Sequence, residues 1–499
     1  MRIGIDIGGT HTDAVLVDQN KKIVACIKVM TTRAIDEGVQ LAVTELLQKG
    51  QVMAHAIVGI YIGSTHATNA ILEGKDLLRV GLVRLAGHTP DLLPGFAWPK
   101  ELRSKVISGF KTVSGGYECD GSAISTFHEQ EVRDAVNELL ESGAKAISVV
   151  GVFSPINGDQ EHHAAEIVRE IAGTNVPVTI SSDIGGIGYI ERENATIMNS
   201  ALKKVVRTGF ESLELRLRQL GLHAPVYMIH NDGSLLNMKQ AIDYPIFTIS
   251  AGQTNSFRGA ACLAGVENAV VIDIGGTSSD IGIVENGYAK RSLRAATIGG
   301  VKLHFAMPDV LSLAIGGGTI VSGTTFGPES VAKNLFFEAQ CFGGNVLTTT
   351  DMAVQLGIMD IKQANPERVR CCPNSSFQVL KKINQRLLEA VQMVKGKKSN
   401  MALLVVGGAS ALFQGADSME YGDVANAFGA QLAQVSSTVD VVTSLHKREL
   451  ILDELKERAI QRAIDSGACQ SKARIVNMEI IPYAYSKDNL CRVIVTAAG

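Results

Sequence analysis

The sequence predicts an α/β protein of two lobes, each with a mixed sheet flanked by helices, and a cleft between the lobes. At 499 residues the chain exceeds the size at which one hydrophobic core usually stops growing, so at least two packed lobes are expected. Short apolar runs of strand length alternate with amphipathic stretches of helix length, which is typical of α/β sheets. A segment near the N-terminus also recurs near the middle of the chain, which indicates that two lobes begin in the same way.

The first lobe opens with strands at residues 2–7 and 14–17, joined by a Gly-Gly-Thr turn. Apolar residues at helix spacing predict a helix at 34–48, and an apolar run predicts a strand at 57–62. An amphipathic helix at 129–141 then precedes a buried strand at 146–153. The rhythm of strand and helix continues to about residue 180, so we assign residues 1–180 to an N-terminal lobe and 181–499 to a C-terminal lobe.

A long helix at about 191–218 follows a glycine cluster and is expected to join the two lobes. The second lobe restarts the opening pattern with a strand at 269–274. Its remaining predicted elements are a glycine-rich segment at 315–322, a strand at 402–406, a helical stretch at 423–434 and a strand-like tail beyond residue 479.

Composition excludes several classes of protein. Hydrophobic residues make up 46% and charged residues 19%, as in well-buried globular proteins. The formal net charge is −3 and no long basic run occurs, so no nucleic-acid partner is expected. The eight Cys residues include no Cys-x-x-Cys pair, which favours free thiols in a reducing compartment. No signal-peptide pattern and no apolar run of about 18 residues is present, so we expect a cytoplasmic protein without a membrane partner.

The recurring segment is the most informative feature. Residues 5–17 read IDIGGTHTDAVLV and residues 272–284 read IDIGGTSSDIGIV, with eight of thirteen positions identical and no gap. In each copy a carboxylate ends a strand, two glycines expose backbone N–H groups, and a threonine hydroxyl can also donate, which together make an anion cradle. A plain β-hairpin with an Asp accepting local backbone bonds is the alternative.

Two such cradles predict a clamp for a polyphosphate. The cradle residues are Gly8, Gly9 and Thr10 in the first copy and Gly275, Gly276 and Thr277 in the second. Asp6 and Asp273 would repel phosphate directly, so we expect them to act through Mg²⁺ or its water shell, or to orient an attacking water.

Two further glycine segments are candidates for nucleotide contact. Gly407 and Gly408 follow the strand at 402–406 and could let an adenine or ribose approach the backbone, although strand-Gly-Gly is also an ordinary connection. Gly316 and Gly317 lie in the segment IGGGT and could contact phosphate or adenosine, or form only a flexible turn.

The order of these motifs resembles that of the sugar kinase, actin and heat-shock ATPase superfamily. This resemblance implies two ribonuclease-H-like (actin-like ATPase) lobes that bind ATP. More specifically, the chain resembles the hydantoinase A/5-oxoprolinase family over nearly its whole length. The segments that carry this second resemblance, besides the two cradles, are IGSTHATNAILEG at 62–74, GGYECDG at 115–121, VVGVFSPIN at 149–157, ERENATIMNSAL at 191–202, HNDGSLL at 230–236, ISAGQT at 249–254, IGGGTI at 315–320, FGPESV at 326–331, TTTD at 348–351, VVGGAS at 405–410 and DVANAFGA at 423–430.

The family resemblance implies ATP-dependent opening of a cyclic amide or imide, such as 5-oxoproline or a hydantoin, with Mg²⁺ and ATP as cofactors. Phosphorylation of the carbonyl oxygen would make a poor electrophile reactive toward water. It also implies a companion subunit of the hydantoinase B type, and we expect a homo-oligomer. A small-molecule kinase of the same superfamily and a nucleotide-gated binding or filament protein are the alternatives.

Several more residues are candidates through the same resemblance. Thr12, Asp13 and Asp280 could support the cradles or bind metal. His66 falls in a polar family segment and is a candidate general acid or base, or else a structural hydrogen-bonding residue. Arg192 and Asn194 are candidates for substrate contact. The chain departs from the family at His11, where many relatives have an aromatic residue, and at residues 250–253, and we expect the shorter form without the long C-terminal extension.

Overall fold

The computed structural model describes residues 1–32, 35–87, 92–292, 295–303, 307–396, 401–416, 419–446, 448–483 and 490–499. The first lobe opens with strands and helices in alternation, as predicted. These elements are β1 (Arg2–Ile7), β2 (His11–Val17), β3 (Ile23–Met30), α1 (Ile35–Gly50), β4 (Gly59–Ser64) and α2 (His66–Glu73). The strand after the first turn begins at His11, three residues earlier than predicted. Residue 34, the predicted start of the first helix, lies outside the described residues.

The next stretch forms a sheet of its own. Its elements are β5 (Val80–Leu85), α3 (Lys100–Val106), β6 (Ile107–Val113), α4 (Glu129–Glu141), β7 (Ala146–Gly151), α5 (Asp159–Ala172) and β8 (Val178–Ile180). The four strands are parallel in the order β6-β5-β7-β8. One face of this middle sheet buries an apolar core against α4 and α5. Val80, Leu82, Ala146 and Val150 of the same sheet belong to the core of the first lobe.

The chain then returns to the first sheet. The returning elements are α6 (Tyr189–Gln219), β9 (Val226–Ile229), β10 (Leu235–Asn237), α7 (Met238–Asp243) and α8 (Ala251–Leu263). The first sheet has the order β10-β9-β4-β1-β2-β3, so strands beyond residue 180 belong to it. The division of domains at residue 180 stays a prediction, and the sheets themselves do not divide there. The long helix α6 packs against α1, α2 and the middle sheet and also contacts residues 301–303, so the prediction that it joins the two lobes stays a prediction.

The second lobe repeats the opening of the first. Its elements are β11 (Ala269–Ile274), β12 (Ser279–Glu285), β13 (Tyr288–Ala289), β14 (Arg291–Ser292), β15 (Ala296–Ile298), β16 (Val301–Leu303), β17 (Met307–Pro308), β18 (Val310–Leu313), β19 (Thr319–Ser322), β20 (Thr325–Ser330), α9 (Leu335–Glu338), α10 (Thr349–Gln355), α11 (Pro373–Lys395), β21 (Ala402–Val406) and α12 (Ala425–Ala430). β11 pairs antiparallel with β12 and parallel with β21, just as β1 pairs with β2 and β4. The predicted α/β fold with two ribonuclease-H-like lobes is therefore confirmed.

The last part of the chain is a small α/β unit, of which the sequence predicted only a strand-like tail beyond residue 479. Its elements are β22 (Ser436–Ser444), α13 (Arg448–Asp465), β23 (Arg474–Pro482) and β24 (Leu490–Ala498). The strands are antiparallel in the order β22-β24-β23, and α13 covers one face. Alternate residues of β24 point into this core, which explains why the segment reads as a half-buried strand.

Helices α8 and α12 connect the two lobes. α8 contacts β11 of the second sheet and β4 of the first, while α12 follows the second sheet and packs on β1 and β2. The two helices approach closely because glycines face each other. A Cβ on Gly259 would lie 1.9 Å from the carbonyl oxygen of Ala425, and one on Gly429 would lie 1.8 Å from that of Asn255. Among the described residues, no helix is long and apolar enough to cross a membrane.

Candidate active site

The two predicted cradles lie at the ends of equivalent strands and face each other. The first follows β1 and the second follows β11, and both are closed by the same backbone hydrogen bond: Gly8 N–H donates to His11 O at 3.0 Å, and Gly275 N–H donates to Ser278 O at 2.9 Å. A Cβ on Gly276 would lie 3.5 Å from Cγ2 of Thr10, so the two turns meet across the cleft. The two turns therefore face each other, and the binding of a polyphosphate between them stays a prediction.

A cavity of about 560 Å³ lies between the turns. Of the residues predicted from sequence, those that line it are Asp6, Gly8, Thr10, Asp13, Asp273, Gly275, Gly276, Gly317, Gly407 and Gly408. Gly9 and Thr277 are exposed on the turns themselves. A Cβ on Gly9 or Gly408 would meet no atom within 4 Å, so open space lies beside both backbones.

Gly407 shows why glycine follows β21. Its φ is +96°, and a Cβ there would lie 2.3 Å from Oδ1 of Asp273. Any other residue would be strained and would push on this carboxylate. The strand-Gly-Gly segment therefore brings its backbone against the second cradle, at the place where the sequence predicted a nucleotide contact.

Each cradle carries two aspartates that are cross-strand neighbours. Asp6 lies opposite Asp13 on β2, and Asp273 lies opposite Asp280 on β12. Lys28 Nζ lies 2.7 Å from Asp13 Oδ1. In the second cradle the partners are neutral: Ser312 Oγ donates to Asp280 Oδ1 at 2.5 Å and Gln253 Nε2 donates to Asp280 Oδ2 at 3.4 Å.

The carboxylates of Asp6 and Asp273 are held in a setting that disfavours negative charge. Burial raises the pKa of Asp6 well above its usual value, and the charges of Asp13 and Asp273 raise it further. Burial likewise raises the pKa of Asp273 to about 6. A hydrogen bond from Ser256 opposes this shift, and the charge of Asp280 adds to it. A cation between the cradles would relieve this accumulation of acid groups.

The donor set fits Mg²⁺. Carboxylate oxygens are hard ligands, and Mg²⁺ is usually held by one or two carboxylates together with phosphate oxygens and water. Asp6 and Asp273 both face the cavity and supply such oxygens. Within the described ranges, no group of three or more His, Cys, Asp or Glu residues is placed to hold a metal ion.

Other predicted residues lie behind the cradles. Thr12 is 1% exposed, and its hydroxyl faces that of Thr31 at 3.3 Å. The backbone N–H of Gly317 donates to Gly275 O at 3.0 Å, and that of Gly316 is taken by Thr319 Oγ1 at 2.7 Å. The segment at 315–319 thus supports the second cradle from behind, and its amide N–H groups are used there and are not available to a phosphate.

The structure does not bring His66 to the clamp. Its Nε2 lies 3.2 Å from the carbonyl oxygen of Val205, and its ring faces Phe210 on α6. His66 lines a different cavity, together with Asp36, Lys204 and other residues. Because the first turn of α2 directs this side chain toward α6, the geometry fits the structural alternative and not the predicted acid or base role.

Arg192 and Asn194 are likewise structural. Arg192 is fully buried and donates to the carbonyl oxygens of Gly151, Gly186 and Ile187. The Asn194 side chain accepts from Trp98 Nε1 at 2.9 Å and donates to the Lys302 carbonyl at 2.9 Å. Their neighbour in sequence, Glu193, forms a buried two-point ion pair with Arg84, so this start of α6 ties the middle sheet to the first lobe.

Residues missed by sequence reasoning complete the cavity. Lys28, Ser256, Asp423 and Asn426 line it, as do two segments at residues 332–336 and 359–362. Ser256 donates its hydroxyl hydrogen bond to Asp273 Oδ2. Ser256 lies two residues after the segment ISAGQT, which carried the family resemblance. Lys28 had no distinguishing signal, because a single lysine on an outer strand is ordinary.

This fold and clamp define an actin-like ATPase architecture. Two family models match the chain: the hydantoinase/oxoprolinase N-terminal region over residues 2–172 and hydantoinase/oxoprolinase over residues 192–367. The chain belongs to the hydantoinase/oxoprolinase family.

Two curated relatives extend this result. The chain is 27% identical over 399 residues to the acetophenone carboxylase gamma subunit of Aromatoleum aromaticum, covering 72% of this chain and 53% of that protein. It is 26% identical over 390 residues to caprolactamase subunit alpha of Pseudomonas jessenii, covering 72% of this chain and 54% of that protein. The chain thus spans about half the length of the curated relatives it matches.

A solved structure shares the whole fold. The crystal structure of the ATP-dependent caprolactamase from Pseudomonas jessenii superposes with a TM-score of 0.75 at 20% identity, covering 100% of this chain and 87% of that one. The similarity therefore includes the middle sheet and the C-terminal unit.

Proposed function

We propose that this protein uses Mg²⁺ and ATP to phosphorylate the carbonyl oxygen of a small cyclic amide or imide, which water then opens. The observation that carries this proposal is the pair of facing cradles with Asp6 and Asp273 between them. The names of the relatives support the reaction class, since caprolactamase and 5-oxoprolinase both act on cyclic amides.

In this proposal the backbone N–H groups of both cradles hold the polyphosphate. Asp6 and Asp273 would hold Mg²⁺, which shields the phosphate charge and the charge that develops on the leaving group. Ser256 fixes the Asp273 carboxylate through its hydrogen bond, and Gly407 leaves that carboxylate room. The chain's own contribution is therefore positioning and electrostatic stabilisation.

The reaction balances as a phosphoryl transfer followed by hydrolysis. The carbonyl oxygen attacks the γ-phosphorus, an O–P bond forms, and the bond to the bridging oxygen breaks, so that ADP leaves with the electron pair. The amide N–H proton passes to water, which leaves an imidate phosphate. Water adds to the activated carbon, the ring nitrogen takes up a proton, and the C–N bond breaks to give an amine and an acyl phosphate. A second water attacks this acyl phosphate, so that inorganic phosphate leaves and a carboxylate remains.

A companion subunit is part of the proposal. Acetophenone carboxylase gamma and caprolactamase alpha are subunits by name, and the chain matches only about half of each. We assign ATP cleavage and acceptor activation to this chain, and propose that a hydantoinase B-type partner completes the hydrolysis in a homo-oligomeric assembly. A cytoplasmic location fits the ATP supply and the free cysteines of the described residues.

The test is ATP turnover in the presence of a ring panel. The protein is incubated with Mg²⁺, ATP and 5-oxoproline, hydantoin or caprolactam, alone and with its companion subunit, while phosphate release and ring opening are followed. Stimulation of phosphate release by at least one ring, with ring opening, is expected. A stable phosphorylated product would indicate a kinase instead, and ATP turnover that no ring alters would overturn the proposal in favour of a nucleotide-gated protein.

A further inference from the structure

A second cavity of about 560 Å³ lies where the first lobe, the middle sheet and the C-terminal unit meet. One wall follows the end of β9, which pairs in parallel with β4, and β4 pairs in parallel with β1. The cavity is therefore at the carboxyl edge of the sheet that also carries Asp6, and β9 and β1 are two strand spacings, about 10 Å, apart. Ligands of open α/β sheets bind at this edge.

Four guanidinium groups from three elements line this cavity: Arg291 on β14, Arg458 and Arg462 on α13, and Arg492 on β24. Two of them are neutralised within the wall. Arg492 forms a two-point ion pair with Asp440 at 2.9 and 2.6 Å. Arg291 Nη2 lies 3.1 Å from Asp232 Oδ2, and this same carboxylate also lies 2.9 Å from His230 Nδ1 through its other oxygen.

The remaining acids at the wall are also engaged. Asp183 accepts a hydrogen bond from the Tyr244 hydroxyl at 2.9 Å, and Glu479 accepts one from Asn477 Nδ2 at 2.8 Å. Neither carboxylate forms an ion pair with Arg458 or Arg462. Each acid of this cavity wall is thus already held by a partner within the part of the chain that the structure describes.

Arg458 and Arg462 are the exception to this pairing. They lie one turn apart on α13 and both face the cavity, as does Ser466 a further turn along. Residues four apart on a helix have Cβ atoms about 6 Å from each other, so the two like charges repel. Both side chains are exposed, and partial burial together with the charge of Arg458 lowers the pKa of Arg462. Within the described residues, neither guanidinium has a carboxylate partner.

We propose that the second cavity binds a small molecule through its carboxylate, which Arg458 and Arg462 hold. Two guanidiniums at this spacing suit a carboxylate because each presents a planar array of donors to its oxygens. Arg291 and Arg492 also line the cavity, and each stays paired with its own carboxylate partner. The site itself does not depend on the proposed function, and its ligand is either a carboxylate-bearing ring substrate or a separate carboxylate effector.

Direct binding tests the site. Isothermal titration calorimetry measures the binding of 5-oxoproline, L-glutamate and the uncharged ring 2-pyrrolidinone to the full chain. The same measurement is made on the double variant Arg458→Gln/Arg462→Gln. The wild type is expected to bind at least one carboxylate and to bind 2-pyrrolidinone at least about tenfold more weakly, since two charge-assisted hydrogen bonds are missing. The double variant is expected to lose this preference.

A matched control keeps the net charge change the same. Arg448→Gln/Arg474→Gln removes two exposed arginines of the same unit that do not line the cavity, and it should bind as the wild type does. Thermal unfolding of both double variants verifies that the C-terminal unit is intact. Carboxylate binding that is equal in all three proteins, or absent in the wild type, overturns the proposal.

Kinetics then separate the two sources of carboxylate. If the carboxylate belongs to the substrate, Arg458→Gln/Arg462→Gln raises the KM for 5-oxoproline about tenfold or more, with little change in kcat or in turnover of caprolactam. If it belongs to an effector, L-glutamate alters caprolactam-dependent ATP turnover in the wild type and not in the variant. Either result supports the site. Absence of ring-stimulated turnover would count against the proposed function alone, because the binding measurement stands without it.

Discussion

Lys28 Nζ lies 2.7 Å from Asp13 Oδ1, and this ion pair makes the two cradles electrostatically different. The backbone register is the same in both, since Asp6 faces Asp13 and Asp273 faces Asp280. The first pair of acids has a lysine beside it, whereas the described side-chain partners of the second pair are two serines and a glutamine. Within the described residues, the first copy of the turn therefore has a positive charge beside its acids, whereas the second has only neutral partners.

We predict that Lys28→Met destabilises the protein by about 2 kcal/mol. Asp13 is 8% exposed and would be left as a buried acid without its cation. The loss is below that of a fully buried pair because the Lys28 side chain is 31% exposed. Denaturant unfolding measures the change, and Lys22→Met on the exposed turn before β3 is the matched control. Equal stability of both variants would contradict the role given to Lys28.

The carboxylates of Asp6 and Asp273 should be required for ATP cleavage. Asp6→Asn and Asp273→Asn preserve the shape of the side chain and remove the charge that would hold Mg²⁺. Each is expected to lower Mg-ATP turnover by about 100-fold or more. Phosphate release measures the effect, circular dichroism verifies the fold, and Asp134→Asn on the exposed face of α4 serves as the control. Full activity in either variant would show that the clamp is not the ATP site.

Stability without metal or nucleotide should fall as the pH rises toward neutrality. Asp273 has a pKa of about 6 in the folded protein, above its usual value, because it is buried. The folded state therefore binds this proton more tightly than the unfolded state does, and the benefit is lost as the pH rises through about 6. The full contribution of this proton to the free energy of unfolding is about 3 kcal/mol.

The variant Asp273→Asn isolates this effect. Because the amide does not titrate, the free energy of unfolding of the variant relative to wild type should increase between pH 4.5 and pH 7.5. Denaturant unfolding in EDTA at both pH values measures this difference in unfolding free energy. Added Mg²⁺ should make its change with pH smaller. A difference between the two proteins that does not change with pH would mean that Asp273 is not held as a buried acid.

The close approach of α8 and α12 should not tolerate a side chain. Gly259→Ala places a Cβ 1.9 Å from the Ala425 carbonyl oxygen, so the helices between the lobes must separate. We expect a loss of about 1–3 kcal/mol in unfolding free energy, together with weaker ATP binding, because α8 also carries Ser256. Gly109→Ala on β6, where a Cβ meets only a Leu139 methyl within 4 Å, is the control. Unchanged Tm and ATP affinity in Gly259→Ala would contradict this account.

Much of the local structure could be predicted from sequence. The strands Ala269–Ile274 and Ala402–Val406 and the helix Glu129–Glu141 begin and end where the pattern of apolar residues predicts. The duplicated turn also predicts the facing cradles and their aspartates, because a gapless repeat imposes the same strand, turn and strand twice. These features depend on residues close together in the chain, whose conformations follow from local spacing and backbone freedom.

Tertiary structure decided which distant residues share a site. Lys28, Ser256 and Gly407 meet the cradle aspartates only because β3, α8 and β21 pack around them, and no local pattern encodes that meeting. His66 was predicted as an acid or base but lies away from the cradles. A match in sequence does not reveal which neighbouring element a side chain in the first turn of a helix faces. The sequence by itself thus determined the two cradles, whose geometry is local. Only the packing of separate elements decided which residues lie beside the charges of the cradles and where the unpaired arginines of the second cavity lie. The reason is that burial and charge pairing depend on contacts between residues far apart in the chain.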